Sequence, residues 1–245
     1  MIGLIAAMPE ESGALLRRVP GWKACRLGAF RGYRLRIGGQ NCLLVESGIG
    51  QQHAGEATRT LLAEGPRMLI SFGVAGAVRA DLRIGDVVAA RHTCRLDQGT
   101  AGALIPLFEL PGEARRVATR ALQPYGARLL DGVAVTTRGE QAILKQPGEM
   151  ENPVLEMETA AIAAEAAQAG VPLLALRGIS DNPQQPIPLD LGAVLDAEYH
   201  PRIGKLLEIL LRRPQILLQL RRMRHNTSLA ADHAALAVLA VVGLI

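Results

Sequence analysis

Leu155-Glu156-Met157-Glu158-Thr159-Ala160-Ala161-Ile162-Ala163 decides how this chain is read, because two carboxylates stand inside an otherwise apolar run. Val154 to Met157 reads as the end of a strand. Thr159 to Gly170 reads as a helix, rich in alanine, free of proline and stopped by Gly170-Val171-Pro172. Glu158 then sits at the strand-to-helix turn. A second strand, Leu173 to Ile179, follows and ends in Ser180-Asp181-Asn182-Pro183. Strand, helix, strand and polar turn predict a βαβ unit of a parallel sheet, whose ligands bind beyond the carboxyl ends of the strands, so Glu158 and Asp181 are expected on one rim. Taken singly, each has an ordinary structural role: Glu158 as the cap of a helix N-terminus, Asp181 as the opening of a turn.

The rest of the chain agrees with one large α/β domain. At 245 residues it is long enough to bury a sizeable core, and no linker divides it. Hydrophobic residues make up 49% but aromatics only 3%, so the core must be built from Ala, Leu, Val and Ile, as in parallel sheets covered by helices. Cys25, Cys42 and Cys94 have no metal-type spacing and an odd count, which predicts buried thiols in a reducing cytoplasm and no bound metal. Met1-Ile2-Gly3-Leu4-Ile5 lacks a basic leader and reads as a first strand, so export is not expected. A net charge of +4 and a pI near 9.3 would suit a nucleic-acid binder, but the aromatic platforms and basic recognition motifs of such proteins are missing.

In chain order, Ile2 to Ala7 delivers Met8-Pro9-Glu10-Glu11 to the expected ligand rim, and a helix runs through Ser12 to Val19. Glu10 and Glu11 alone would be first-turn carboxylates favoured by the helix dipole. Arg31 to Gly38 and Asn41 to Ser47 flank Gly38-Gly39-Gln40, a hairpin signal. Ser47-Gly48-Ile49-Gly50 opens a helix from Gln52 to Glu64, where glycine permits close backbone approach, either for an anion or sugar contact or simply for a tight strand-to-helix turn. Met68 to Phe72 is a buried strand that runs into Gly73-Val74-Ala75-Gly76-Ala77. Arg91 to Leu110, with Gly99, Gly102, Pro106 and Pro111 around it, reads as a loop or irregular lid. Gly112 to Gln123 reads as a basic helix, and Val133 to Thr136 as a strand leading to the rim loop Thr137-Arg138-Gly139-Glu140-Gln141. Arg202 to Arg224 reads as two amphipathic helices meeting at Pro214, with Arg212, Arg213, Arg221, Arg222 and Arg224 beside leucine and isoleucine. Such a stripe packs on its own domain or sits on anionic lipid. Ala234 to Ile245 is apolar but too short to span a bilayer. Residues 1–200 thus read as the α/β domain and 201–245 as an amphipathic helical extension packed on or beside it.

Glu156-Met157-Glu158 before a small-residue helix, followed by Ile179-Ser180-Asp181, resembles the signature of the nucleoside phosphorylase and nucleosidase superfamily. Ala7-Met8-Pro9-Glu10-Glu11 is similar to the Ala-Met-x-x-Glu pattern of its hydrolytic members, including methylthioadenosine/S-adenosylhomocysteine nucleosidases. Gly73-Val74-Ala75-Gly76 and Gly85-Asp86-Val87-Val88 resemble its Gly-x-Ala-Gly turn and supporting strand. The resemblance implies a three-layer fold with a mixed, largely parallel central sheet flanked by helices. It implies that Met157 and Glu158 hold the ribose with Glu156 as support, that Asp181, beside Ser180, protonates the departing purine, and that Glu11 activates water. Gly76, Val74 and Ile49 complete the substrate-binding set. Many relatives carry serine where Val74 stands, and in phosphorylases that hydroxyl helps hold phosphate; valine has no donor. No cofactor is implied, and the expected partners are a nucleoside and water or phosphate, with a homo-oligomer as the expected assembly.

Leu207-Glu208-Ile209-Leu210-Leu211-Arg212-Arg213-Pro214 looks like the hopanoid-associated group of the superfamily. That resemblance implies release of adenine from adenosylhopane; with the cysteine usage and the basic amphipathic stripe, the expected location is the cytoplasm, in peripheral contact with the inner membrane surface. The competing readings are a phosphate-dependent phosphorylase of the same fold, a generic methylthioadenosine/S-adenosylhomocysteine nucleosidase and, from a different class, a non-catalytic nucleotide-binding or membrane-associated protein, which would not need Glu11, Glu158 and Asp181 together.

Overall fold

The computed structural model describes residues 1–97, 99–138, 150–185 and 216–245. Its strands are β1 (Ile2–Ala6), β2 (Lys23–Leu27), β3 (Phe30–Ile37), β4 (Gln40–Glu46), β5 (Met68–Ala77), β6 (Val87–Asp97), β7 (Thr100–Ala101), β8 (Ile105–Pro106), β9 (Leu129–Thr136), β10 (Pro153–Glu156) and β11 (Leu173–Asp181). The helices are α1 (Pro9–Leu16), α2 (Gln51–Leu62), α3 (Gly112–Leu122), α4 (Thr159–Gln168) and α5 (Ile216–Val242).

Alternation along the central strands sorts the side chains between two helical layers, because successive residues of a strand point to opposite faces. Ile2, Leu4 and Ala6 of β1 join Cys42 and Leu44 of β4 under α1, α3 and α5, whereas Ile5, Leu43 and Val45 pack under α2 and α4. The layers of the expected α/β fold are therefore present. Strand order is β10-β9-β6-β11-β5-β1-β4-β3-β2. Pairing is parallel along β4, β1, β5 and β11 and again along β6, β9 and β10, and antiparallel where β11 meets β6. β10 also pairs antiparallel with β5, so β10, β9, β6, β11 and β5 close on themselves.

That closure corrects the βαβ expectation. β10 and β11 run in opposite directions and are not neighbours, because β9 and β6 stand between them. What brings their ends together is β5: Gly76 is opposite Leu155 of β10 on one side and Asp181 of β11 on the other. The expected lid over Arg91 to Leu110 is corrected as well. Arg91 to Asp97 continues β6, with Thr93 and Cys94 fully buried and paired to β9, and β7 and β8 pair back onto it. The hairpin at Gly38-Gly39 forms as expected, with both glycines at positive φ, +55° and +83°, as a tight two-residue turn requires.

The C-terminal helix differs from its expected form. α5 does not end near Arg224 but runs to Val242, and Ala231, Ala235, Val238, Val241 and Val242 fill the core beneath it. The apolar tail is thus a core-facing helix end. The first of the two expected amphipathic helices, with Arg212 and Arg213, lies outside the described residues. Among the described residues no helix is long and apolar enough to cross a membrane.

Candidate active site

Glu11 is placed by the way α1 begins. Pro9, whose fixed φ suits the first helical position, starts the helix, and Glu11 in that first turn reaches back so that its Oε2 accepts the N–H groups of Ala7 (2.8 Å) and Met8 (3.0 Å). Its Oε1 accepts the N–H of Val74 on β5 at 2.9 Å. The carboxylate occupies the space that a Cβ on Gly73 would need, so glycine at that position admits it. Glu11 is 3% exposed, and burial pushes its pKa up against the lowering effect of those backbone donors and of Arg177.

Glu158 occupies the N-cap position of α4, yet its side chain does not cap the helix. Glu156 takes that role: its Oε2 accepts the N–H groups of Glu158 (3.0 Å) and Thr159 (2.8 Å) and the Thr159 hydroxyl (2.6 Å). Thr136 donates to the other oxygen of Glu156, and the Arg177 guanidinium lies 3.2 Å from Oε2. Burial alone would raise Glu156, but Arg177 and these donors bring its pKa below the ordinary value. Freed from capping, Glu158 turns into a cleft and accepts the Gly50 N–H at 2.8 Å, at the start of α2. Burial and the neighbouring Glu156 charge push the Glu158 pKa up to about 8.

Asp181 likewise leaves the turn to a neighbour. The Asn182 side chain opens that turn, its Oδ1 accepting the N–H groups of Gln184 (3.2 Å) and Gln185 (3.0 Å). Asp181 instead accepts the Ser180 hydroxyl at 2.7 Å, and burial raises its pKa despite that hydrogen bond. The pairing of β11 with β5 shifts between Ile179 and Asp181, so Ser180 is the extra residue of a bulge, a feature that re-aims the side chains beside it.

Glu11, Val74, Glu158, Ser47, Ile162 and Arg177 are among the walls of one cleft. The structure therefore brings Glu11, Val74 and Glu158 into one cleft, with Glu156 behind it. Asp181 and Ser180 stand further along β5, next to Gly76. Met157 and Ile49 are half-buried on the strand-to-helix turns that flank Glu158 and Gly50. Arg138 is exposed, and Gly139, Glu140 and Gln141 lie outside the described residues.

Sequence reasoning missed Arg177. It is 3% exposed, and one nitrogen of its guanidinium donates to Ser71 Oγ (2.8 Å), Thr159 Oγ1 (2.7 Å) and Glu156 Oε2 (3.2 Å). The signal was present: a lone arginine inside the apolar run Leu173 to Ile179 must have a buried anion as its partner.

Residues 1–200 match the Phosphorylase superfamily along their whole length. The chain belongs to that superfamily. Among its superfamily relatives, a 5′-methylthioadenosine/S-adenosylhomocysteine nucleosidase of Listeria innocua is 30% identical over 200 residues, covering 74% of this chain and 85% of the relative. A solved nucleosidase of the same name from Neisseria meningitidis, in complex with methylthio-immucillin-A, matches with a TM-score of 0.72 at 24% identity, covering 100% of this chain and 99% of that one. Futalosine hydrolase of Helicobacter pylori matches with a TM-score of 0.70 at 20% identity over 100% of this chain and 97% of its own. These two share the fold. The superfamily assignment makes the chain an enzyme of the nucleosidase and phosphorylase type.

Proposed function

We infer that this enzyme hydrolyses the N-glycosidic bond of a purine nucleoside, releasing adenine from an adenosyl compound with water as the acceptor. The observation that carries this reading is the state of the charged groups in the cleft. Glu11 faces it with both oxygens fixed by backbone donors, while Arg177, the cationic side chain in its wall, is engaged by Glu156, Ser71 and Thr159. Val74 supplies its N–H to Glu11 and has no hydroxyl to offer an anion. A carboxylate in that position repels a phosphate dianion and accepts a proton from water.

The chemistry follows from the three carboxyl groups. Asp181, whose pKa burial raises, gives its proton to the purine as the C1′–N9 bond breaks and the bonding electrons leave with the base. Positive charge grows on the ribose, and a negative Glu158 is worth most there. Burial and the Glu156 charge raise the Glu158 pKa to about 8, so near that pH part of the enzyme already carries the negative charge that the growing cation favours. Glu11, made more basic by burial, takes a proton from water as the water oxygen bonds to C1′.

The finer reading is an adenosyl compound with a large apolar 5′ group, adenosylhopane, handled at a membrane surface. The Leu207 to Pro214 pattern supports it. So does the start of α5, where Leu218 is 70% exposed and Arg221, Arg222 and Arg224 are exposed beside it. A panel of 5′-substituted adenosines tests both levels. Free adenine from any member supports the hydrolase, and preference for the largest apolar substituent supports the finer substrate. Preference for methylthioadenosine would place the enzyme with its nucleosidase relatives, and no adenine from any member would contradict the reading.

A further inference from the structure

α5 lies beyond residues 1–200, the span that matches the superfamily, yet one of its buried side chains ends at the support of the strand that carries Asp181. His233 is 2% exposed, and its Nδ1 lies 2.6 Å from the Gly85 carbonyl oxygen. A carbonyl only accepts, so Nδ1 carries the proton and donates it. Gly85 in turn donates its N–H to the Ile179 carbonyl at 2.8 Å, and the Ile179 N–H donates to the Asp86 carbonyl at 2.8 Å. Both polar backbone groups of the residue before the Ser180 bulge are thus held by Gly85-Asp86. Asp86 is itself pinned: it is 1% exposed, and its carboxylate accepts the N–H groups of Arg83 (2.9 Å) and Arg128 (3.0 Å) besides the Arg128 guanidinium.

Gly85 has no such side chain, and its φ of +88° is one that glycine adopts freely. A Cβ there would come within 3.0 Å of His233 Nδ1, so the imidazole packs directly against the peptide it holds. One strand residue earlier, the Ala230 backbone lies where a Cβ on Gly178 would go, which presses α5 onto β11 next to Ile179. The other ring nitrogen of His233, Nε2, is buried with no hydrogen-bond partner. A fully buried imidazole with one polar contact is costly unless that contact matters.

We propose that His233 is a positioning residue for Asp181: by holding the Gly85 carbonyl it fixes Ile179 and so aims the carboxyl group that follows the bulge at the leaving base. This rests on the reading of Asp181 as the acid. Loss of the contact frees the Gly85 turn, and a displacement of about 1 Å at a proton donor can cost on the order of 100-fold in rate.

The test uses the full chain and adenine release. His233→Leu keeps an apolar side chain of similar bulk but has no donor; His233→Asn restores an amide N–H near the position of Nδ1. Val238→Ala, a fully buried α5 substitution away from this chain of hydrogen bonds, serves as the stability control. The expected result is a kcat lower by about tenfold or more in His233→Leu with KM within about twofold, recovery of most of that loss in His233→Asn, and near-normal kcat in Val238→Ala despite a lower Tm. A kcat for His233→Leu within about twofold of wild type would overturn the positioning role alone, and so would equal losses in His233→Leu and Val238→Ala at equal Tm. Asp181→Asn in the same series separates the two levels, since full turnover in that variant would overturn the acid assignment and the positioning role together.

Discussion

Glu158 shows how one residue bears opposing demands. Its pKa is raised to about 8, whereas an unfolded glutamate titrates near its ordinary value, so between those two values the unfolded chain releases a proton that the folded chain retains. The folded state therefore loses stability relative to the unfolded one as pH rises from about 4.5 to 8, and the penalty is complete above that range. Glu158→Gln removes the titration. The melting temperature of the variant should gain on wild type between pH 5 and pH 8, by about 2–4 °C for each kcal/mol, while turnover falls. A pH-independent gap between the two melting curves would contradict the buried proton. Arg177 makes the complementary case, because Arg177→Met leaves Glu156 buried without its cation. Breaking such a pair costs about 3–5 kcal/mol, and denaturant unfolding should register a loss of that size. An unfolding midpoint within error of wild type would mean that Thr136 and Thr159 suffice to hold the Glu156 charge.

At the scale of elements, α5 has two halves with different work. From Ala230 onward it fills the core, whereas its first turns carry Leu218 and exposed arginines past the body of the fold. Those turns stand near the segment that follows Asp181: the Asn226 side chain donates to Gln185 Oε1 at 3.2 Å. If lipid is met there, Arg221, Arg222 and Arg224 each add about 1 kcal/mol near an anionic surface. Replacing all three with glutamine should then reduce sedimentation with phosphatidylserine-containing vesicles and slow a lipid-linked adenosine, with methylthioadenosine turnover unchanged. Unchanged sedimentation would show that lipid is met elsewhere or not at all. The elements were also where the sequence was hardest to read. Local signals put Glu11, Glu158 and Asp181 at strand ends and helix starts, because a strand followed by a polar turn or a helix start is written in consecutive residues; their roles came from the family resemblance. The opposed directions of β10 and β11, the continuation of β6 through Asp97 and the partner of Arg177 depend on which strands meet across the sheet. No periodicity encodes that. Likewise, the exchange of roles between Glu156 and Glu158 at the α4 cap turns on side-chain direction, which spacing leaves open.

For the molecule as a whole, closure of five strands through β10 and β5 is what makes the site. It brings Glu158 and Asp181 to the Gly73 to Ala77 end of β5, and the pairing of β1 with β5 adds Glu11 there, although the three come from distant parts of the chain. The central claim is that this arrangement delivers water to C1′. Glu11→Gln bears on it first: the amide keeps the volume but cannot take the proton, so hydrolysis should fall by 100-fold or more, on the order of what general base catalysis contributes. Activity near wild type in that variant would remove Glu11 from the mechanism. The most direct measurement is the origin of the oxygen at C1 of the released sugar, followed by mass spectrometry in ¹⁸O-labelled water with phosphate in excess. The account predicts label in the free sugar at full stoichiometry and adenine release that does not depend on phosphate. Ribose 1-phosphate or its 5′-substituted form as the main product, with no label at C1, would contradict it.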